Sequence, residues 1–375
     1  MQQDGAVVLS RRALNRATLA RQLLLDRADL STYDAVAHLY GLQAQTPHSW
    51  YVGLWTRLSD FRPEDAADLL VSRRLVRIAL MRSTIHLVTA ADCLALRPLI
   101  APVIDRSMRG AFGKGLVDID RDALLAAGRA LVDERPLTFA ALGATLAKQF
   151  PERDPATLAQ AIRAWIPLIQ VPPRGLWGQS GPVAHISAEA WLGAEPDADP
   201  APERMILRYL AAFGPASVKD IQLWSGLTRL RAGVDSLRPE LVTFRDEHGV
   251  ELFDLPDAPR PDPETPAPPR FIYDFDNLFL SHADRSRVVT DEYRRQTYPD
   301  NVQPSLILID GFTSANWKIT RERDRTTLTI RPFIPLTAQD SAAIIAEGTR
   351  LLAFTDPTAT HDIQITAPRT DRREA

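Results

Sequence analysis

The sequence predicts an α+β fold: three tandem winged helix-turn-helix units scaffolded by a β-rich domain. Three observations carry this. An order of helices followed by a β-hairpin pattern recurs three times before residue 256. Seven prolines in the fifteen residues 256–270 then read as an extended linker. Beyond them, short runs rich in branched residues and one long helical pattern fit a small β-rich domain. The boundaries follow: 10–118 and 119–198 for the first two units, 201–256 for the third, 257–270 for the linker and 271–366 for the scaffold.

The elements can be justified in order. Residues 14–25 read as a first helix, with Leu14, Leu19, Leu23 and Leu24 near one stripe. Ser31 or Thr32 can cap a second helix running toward Tyr40 and Leu42. Pro47 disfavours helical geometry at Thr46, so this helix is expected to end near Gln43 and Gln45. Residues 48–58 form a third helix with Trp50, Leu54 and Leu58 at helical spacing, and Trp50 is expected in the core. Pro63 starts a fourth, 64–71. Residues 75–81 and 85–89 form a hairpin around Arg82-Ser83-Thr84, the first wing. In the second unit, 122–133, 138–150 and 155–165 are helical, and 167–187 resembles a second wing around Pro172-Pro173-Arg174-Gly175. In the third, helices over 202–213, 217–224 and 228–237 precede strands 241–245 and 250–255. In the scaffold, 271–280 and 305–309 are strand-like, 317–320 and 326–330 form a hairpin, and 337–354 is a helix.

Composition bounds the chemistry. A chain of 375 residues, 45% hydrophobic and 24% charged, is long enough for several packed domains. The net charge of -3 gives no general attraction to a polyanion. Residues 71–115 nevertheless hold eight basic residues against two acidic, a local excess that suits phosphate contact or a solvated basic face. The single cysteine, Cys93, excludes an intramolecular disulfide and a cysteine-based zinc site. The seven histidines show no metal-ligand spacing, and no Gly-rich phosphate loop or serine elbow is present. No signal-peptide pattern or 18-residue apolar run occurs, so the expected location is cytoplasmic, with no membrane partner.

Two stretches stand out chemically. Gln43 and Gln45, two apart before Pro47, can turn toward one space and hold a water molecule or a base edge, or they can cap backbone groups at a helix end. Asp274 and Asp276 alternate along the strand pattern 271–280, either as paired carboxylates or as ion-pair partners of the nearby 284–287 segment.

The run Gly41-Leu42-Gln43-Ala44-Gln45-Thr46-Pro47, with Gly53-Leu54-Trp55-Thr56-Arg57-Leu58, resembles the winged-helix family of AlkZ/YcaQ-like DNA glycosylases, the azinomycin-resistance group. The resemblance continues through Leu80-Met81-Arg82-Ser83-Thr84-Ile85-His86-Leu87-Val88, Tyr273 to Arg287 and Ile309-Asp310-Gly311-Phe312. It implies tandem winged helices on a β-rich scaffold. It also implies monofunctional, metal-free and cofactor-free excision of N7-alkylated purines from double-stranded DNA, including crosslinked lesions. The family's catalytic motif is glutamine, an apolar residue, then glutamine or aspartate, which Gln43-Ala44-Gln45 matches. Arg82, Thr84 and His86 around the wing become candidates for DNA contact. The family usually carries glycine where this chain has Ser83, and a small-glycine pair near Ser314-Ala315-Asn316. The expected protein is a nucleoid-associated monomer. Winged helices also serve as non-catalytic DNA readers or transcriptional regulators, and a drug-sequestering scaffold is a third class.

Overall fold

The computed structural model describes residues 7–296, 298 and 302–368. Helix Arg11–Arg21 is capped by Ser10, whose hydroxyl accepts from the Ala13 amide at 3.1 Å. It buries Leu14, Ala17 and Leu19, but also Asn15, Arg16, Thr18 and Arg21. Buried polar groups require partners. Asn15 Nδ2 donates to the carbonyls of Arg287 at 2.7 Å and Gly311 at 2.8 Å. Arg12 and Arg16 bind Asp310, and Arg21 meets both oxygens of Asp254 at 2.8 Å. One early helix thereby joins the third helix–hairpin region to the C-terminal sheet.

The expected helices of the three units are present: Thr32–His38, Ser49–Trp55 and Pro63–Val71; Arg121–Glu134, Phe139–Leu146 and Pro155–Trp165; and Pro202–Phe213, Val218–Ser225 and Arg231–Ser236. The hairpins form at the expected residues, but the first two are not separate wings. Leu75–Ala79 and Ile85–Thr89 are not a protruding wing. They lie inside a six-stranded antiparallel sheet ordered Leu42–Gln43, Ile85–Thr89, Leu75–Ala79, Leu168–Gln170, Ala184–Ser187, Leu137–Thr138. The physical reason is their two-sided apolar pattern. Leu75, Ala79, Ile85 and Leu87 face one core with Trp50, Tyr51 and Leu54, while Val76, Ile78 and Val88 face another with Tyr209, Phe213 and Trp224. A strand buried on both faces belongs in the middle of a sheet. The first two units therefore share one sheet. The third hairpin, Val242–Asp246 with Glu251–Asp254, keeps a half-exposed first strand and is joined in parallel by Val8–Leu9.

The C-terminal sheet has five strands in the order Arg270–Ile272, Leu306–Ile309, Phe312–Glu322, Arg325–Pro332 and Thr360–Ile365. The hairpin of its second and third strands turns at Asp310 and Gly311, both left-handed (φ 47° and 81°), the two-residue geometry that Asp-Gly favours. Helix Ala338–Thr355 crosses over to the last, parallel strand and buries Ile344, Leu351 and Leu352. The strand expected over 271–280 stops at Ile272. Phe275 is left-handed (φ 59°), and Asp276 instead caps the short 3-10 turn Asn277–Phe279. No helix among the described residues is long and apolar enough to cross a membrane.

Candidate active site

The two glutamines do not sit at a helix end. Helix Thr32–His38 stops earlier, at a turn in which Tyr40 and Gly41 are both left-handed and the Gly41 amide donates to the Val36 carbonyl at 3.0 Å. That turn, rather than Pro47, ends the helix. The chain then runs extended, and Gln43 pairs with His86 across the sheet. In extended backbone, residues two apart share a face. Gln43 is 3% exposed, while Gln45 lies at the surface where the strand breaks up.

Each amide is oriented by a group that can only donate. Gln43 Oε1 accepts from Arg82 Nη2 at 3.1 Å, and Gln45 Oε1 accepts from the Ile85 amide at 3.1 Å. Oxygen must therefore face these partners, which directs both Nε2 groups elsewhere. The backbone of the segment is held as firmly. The Ala44 amide donates to the Ile85 carbonyl at 2.8 Å, and its carbonyl accepts from Arg77 Nη2 at 2.9 Å. The Tyr273 hydroxyl donates to the Gln43 carbonyl at 2.9 Å, Asn277 Nδ2 to the Gly41 carbonyl at 3.2 Å, and Trp50 Nε1 to the Pro47 carbonyl at 2.8 Å. Trp50 is fully buried, as its helical spacing predicts.

Arg82 turns inward. Besides Gln43 it donates to Asn277 Oδ1 at 3.2 Å and to the Trp224 carbonyl at 2.9 Å. Burial among neutral acceptors lowers its pKa to about 10, which still leaves a cation at neutral pH. His86 is fully buried opposite Gln43. Its Nδ1 donates to the Thr84 carbonyl at 3.0 Å, so Nε2 is the unprotonated nitrogen, and burial followed by the nearby Arg82 charge lowers its pKa to about 3. His86 thus stands beside Gln43 on the same face of the sheet, and Arg82 holds the Gln43 side-chain carbonyl, in place of a solvent-facing wing. Thr84, half-buried, turns its hydroxyl onto the Met81 carbonyl at 3.1 Å. The cause is the interior place of the hairpin.

The basic stretch 71–115 is likewise not one surface. Arg77 and Arg97 are buried, the latter donating to the Ala164 carbonyl at 2.8 Å. Arg73 stacks on Trp191 and Arg74 on Tyr33. The carboxylates near the motif also separate, because the strand carrying them ends at Ile272. Asp276 is buried in a bidentate pair with Arg57 at 2.9 Å, not with the 284–287 segment. Asp274 is half-buried, and its Oδ2 accepts from the Thr46 hydroxyl at 2.5 Å. Tyr273, Asp274 and Asn277 reach the 41–46 segment from 228 to 236 residues away, so no spacing in the sequence could link them; the resemblance over 273–287 was the available signal. Among the described residues, no group of three or more His, Cys, Asp or Glu is placed to hold a metal ion.

The family model for AlkZ-like DNA glycosylases matches residues 36–354, a span containing the glutamine pair and the groups that hold it. The chain belongs to this family. AlkZ-like membership makes it a DNA-binding protein of DNA repair. In fold it is similar to Streptomyces sahachiroi DNA glycosylase AlkZ, with a TM-score of 0.76 and 20% identity, covering 96% of this chain and 100% of that one. Among curated proteins no sequence match reaches significance.

Proposed function

We propose that this AlkZ-like chain is a monofunctional glycosylase that hydrolyses the N-glycosidic bond of N7-alkylated purines in double-stranded DNA, bulky and crosslinked lesions included. The observation that carries this reading is the fixed pair Gln43 and Gln45, whose amides are locked through their carbonyls while their Nε2 groups stay free of protein partners among the described residues. An N7-alkylated guanine is already cationic, so it leaves without an added proton. Two amides held in place can then position water against the anomeric carbon, saving the entropy of finding that geometry. Gln45 stands at the surface, which suits a lesion that cannot flip fully into an enclosed pocket. We read residues 10–118, 119–198 and 201–256 as winged-helix units, the first two sharing a sheet, and 271–366 as their scaffold beyond the 257–270 linker. The working form is a monomer at the nucleoid, acting in DNA repair or in self-resistance to a genotoxin.

The test is release of modified base from duplexes carrying N7-methylguanine or a nitrogen-mustard crosslink. The wild type is expected to excise in the presence of chelator. Gln43→Ala and Gln45→Ala are each expected to lose on the order of 100-fold in single-turnover rate, as when one preorganised hydrogen-bonding group is removed from other active sites. Duplex binding without any excision by the wild type would replace this reading with that of a non-catalytic DNA reader.

A further inference from the structure

The locked amides leave one role unfilled. Each glutamine carbonyl already accepts a hydrogen bond from the protein, and amides are not bases at neutral pH. Gln43 and Gln45 can hold a water molecule, but neither can take its proton. His86 stands beside Gln43 on the same face of the sheet, but it is fully buried, and its Nδ1 is committed to the Thr84 carbonyl. Taking the glycosylase reading above as the basis, we propose that Asp274 is the general base that accepts the proton of the attacking water.

Asp274 is the one carboxylate among the described residues that bonds to the 43–46 segment. Its Oδ2 accepts from Thr46 Oγ1 at 2.5 Å, and Thr46 directly follows Gln45. The preceding residue, Tyr273, holds the Gln43 carbonyl at 2.9 Å. The dipeptide Tyr273-Asp274 thus clasps both ends of the motif and sets the carboxylate against it. Asp274 forms no ion pair among the described residues, and its Oδ1 makes no hydrogen bond there. Its neighbour Asp276 is unsuited, being buried and engaged by Arg57 through both oxygens. A carboxylate with one oxygen anchored and the other open can accept a proton without moving. In the step, the C1′–N9 bond breaks with its electron pair passing to the purine, which neutralises the cationic base. The water oxygen forms the new bond to C1′, and one water proton passes to Asp274. Thr46 is a positioning residue that orients the carboxylate.

The experiment measures single-turnover excision from an N7-methylguanine duplex across pH, together with duplex affinity. Asp274→Asn is expected to lose about 100-fold or more in rate, the range for a general base, with affinity within twofold of wild type. It should also flatten the acid limb expected in the rate–pH profile of the wild type. Formate should restore Asp274→Ala at least tenfold, and Thr46→Val should lose about tenfold while keeping the acid limb. Excision by Asp274→Asn within threefold of wild type, with Gln43→Ala inactive, overturns the proposal and leaves the glycosylase reading intact. Loss in Asp274→Ala that formate does not restore, with weakened duplex binding, assigns Asp274 to structure and overturns it as well. A wild type that releases no base removes both readings.

Discussion

Arg82 and Ser83 both hold left-handed backbone, φ 57° and 62°, at the tip of the central hairpin. The Thr84 amide closes the turn on the Met81 carbonyl at 3.2 Å, and the Leu80 amide bonds the Thr84 carbonyl at 3.0 Å. Two consecutive left-handed residues make the turn that Asn-Gly serves best. A residue with a Cβ is less favourable there by roughly 1–2 kcal/mol. For Arg82, three side-chain hydrogen bonds to Gln43, Asn277 and Trp224 offset that cost. For Ser83 little does: its hydroxyl meets Arg163 Nη1 only at 3.5 Å, and the firmer bond from Arg163 Nη2, at 2.9 Å, goes to the backbone carbonyl, which glycine retains. Ser83→Gly is therefore expected to raise stability by about 1 kcal/mol. Urea unfolding should show a higher midpoint at unchanged slope, with base release unaffected; an unchanged or lower midpoint would show that Ser83 is not strained. The turn itself is legible in Arg82-Ser83-Thr84. The inward aim of Arg82 is not, because its acceptors come from residues 224 and 277.

At the scale of elements, helix Ser49–Trp55 supports the motif through an absent side chain. A Cβ on Gly53 would come within 2.5 Å of Tyr273 Cε1 and 2.7 Å of its Cδ1. The Tyr273 ring is fully buried, and its hydroxyl is the group that holds the Gln43 carbonyl. Gly53→Ala is expected to cost about 1–3 kcal/mol by overpacking and to slow excision by displacing the Gln43 strand. Gly110, on the exposed side of helix Ala90–Phe112, has nothing within 4 Å of the same position. There alanine should stabilise by about 0.5–1 kcal/mol through helix propensity alone and leave excision unchanged. Thermal melts and base release of the two variants separate close approach from a general effect of replacing a helical glycine; equal behaviour would sink the packing argument. Residues 49–55 and 75–89 were readable as helix and hairpin from period and turn residues. Which elements flank them was not, because apolar Val76 and Ile78 on the opposite face from Leu75 and Ala79 say that both faces are covered without saying by what.

For the whole molecule, the same long-range closure sets its response to acid. The element order of three helix–hairpin units and a β-rich end was legible because each element is local. Their union was not, since it depends on helix Arg11–Arg21 meeting Asp254 and Asp310, and on strands from residues 42 to 187 entering one sheet. That union buries histidines as neutral rings. Burial lowers His86 to about 3, and lowers His185, stacked on Phe139, to about 4. His282, enclosed near Arg287, falls to about 3. In the unfolded chain each returns to about 6.5. The unfolded state then binds more protons at acid pH, so the stability these groups contribute is present above about 6.5 and is lost as pH falls toward 4. Each histidine contributes a slope of about 1.4 kcal/mol per pH unit within that window. Carboxylates act lower. At Asp310 burial opposes the charge, but Arg12 and Arg16 override it and hold the pKa below its ordinary 3.8, so its contribution is lost only below that value. Unfolding free energies between pH 6 and pH 4.5 therefore isolate the histidines. They are expected to fall steeply in the wild type and less steeply, by about 1.4 kcal/mol per unit, in His86→Asn, whose Nδ2 replaces Nδ1 as donor to the Thr84 carbonyl but cannot titrate. A slope shared by both proteins would mean that His86 takes up its proton in the folded state, and the sheet around Gln43 would then have to open to admit it.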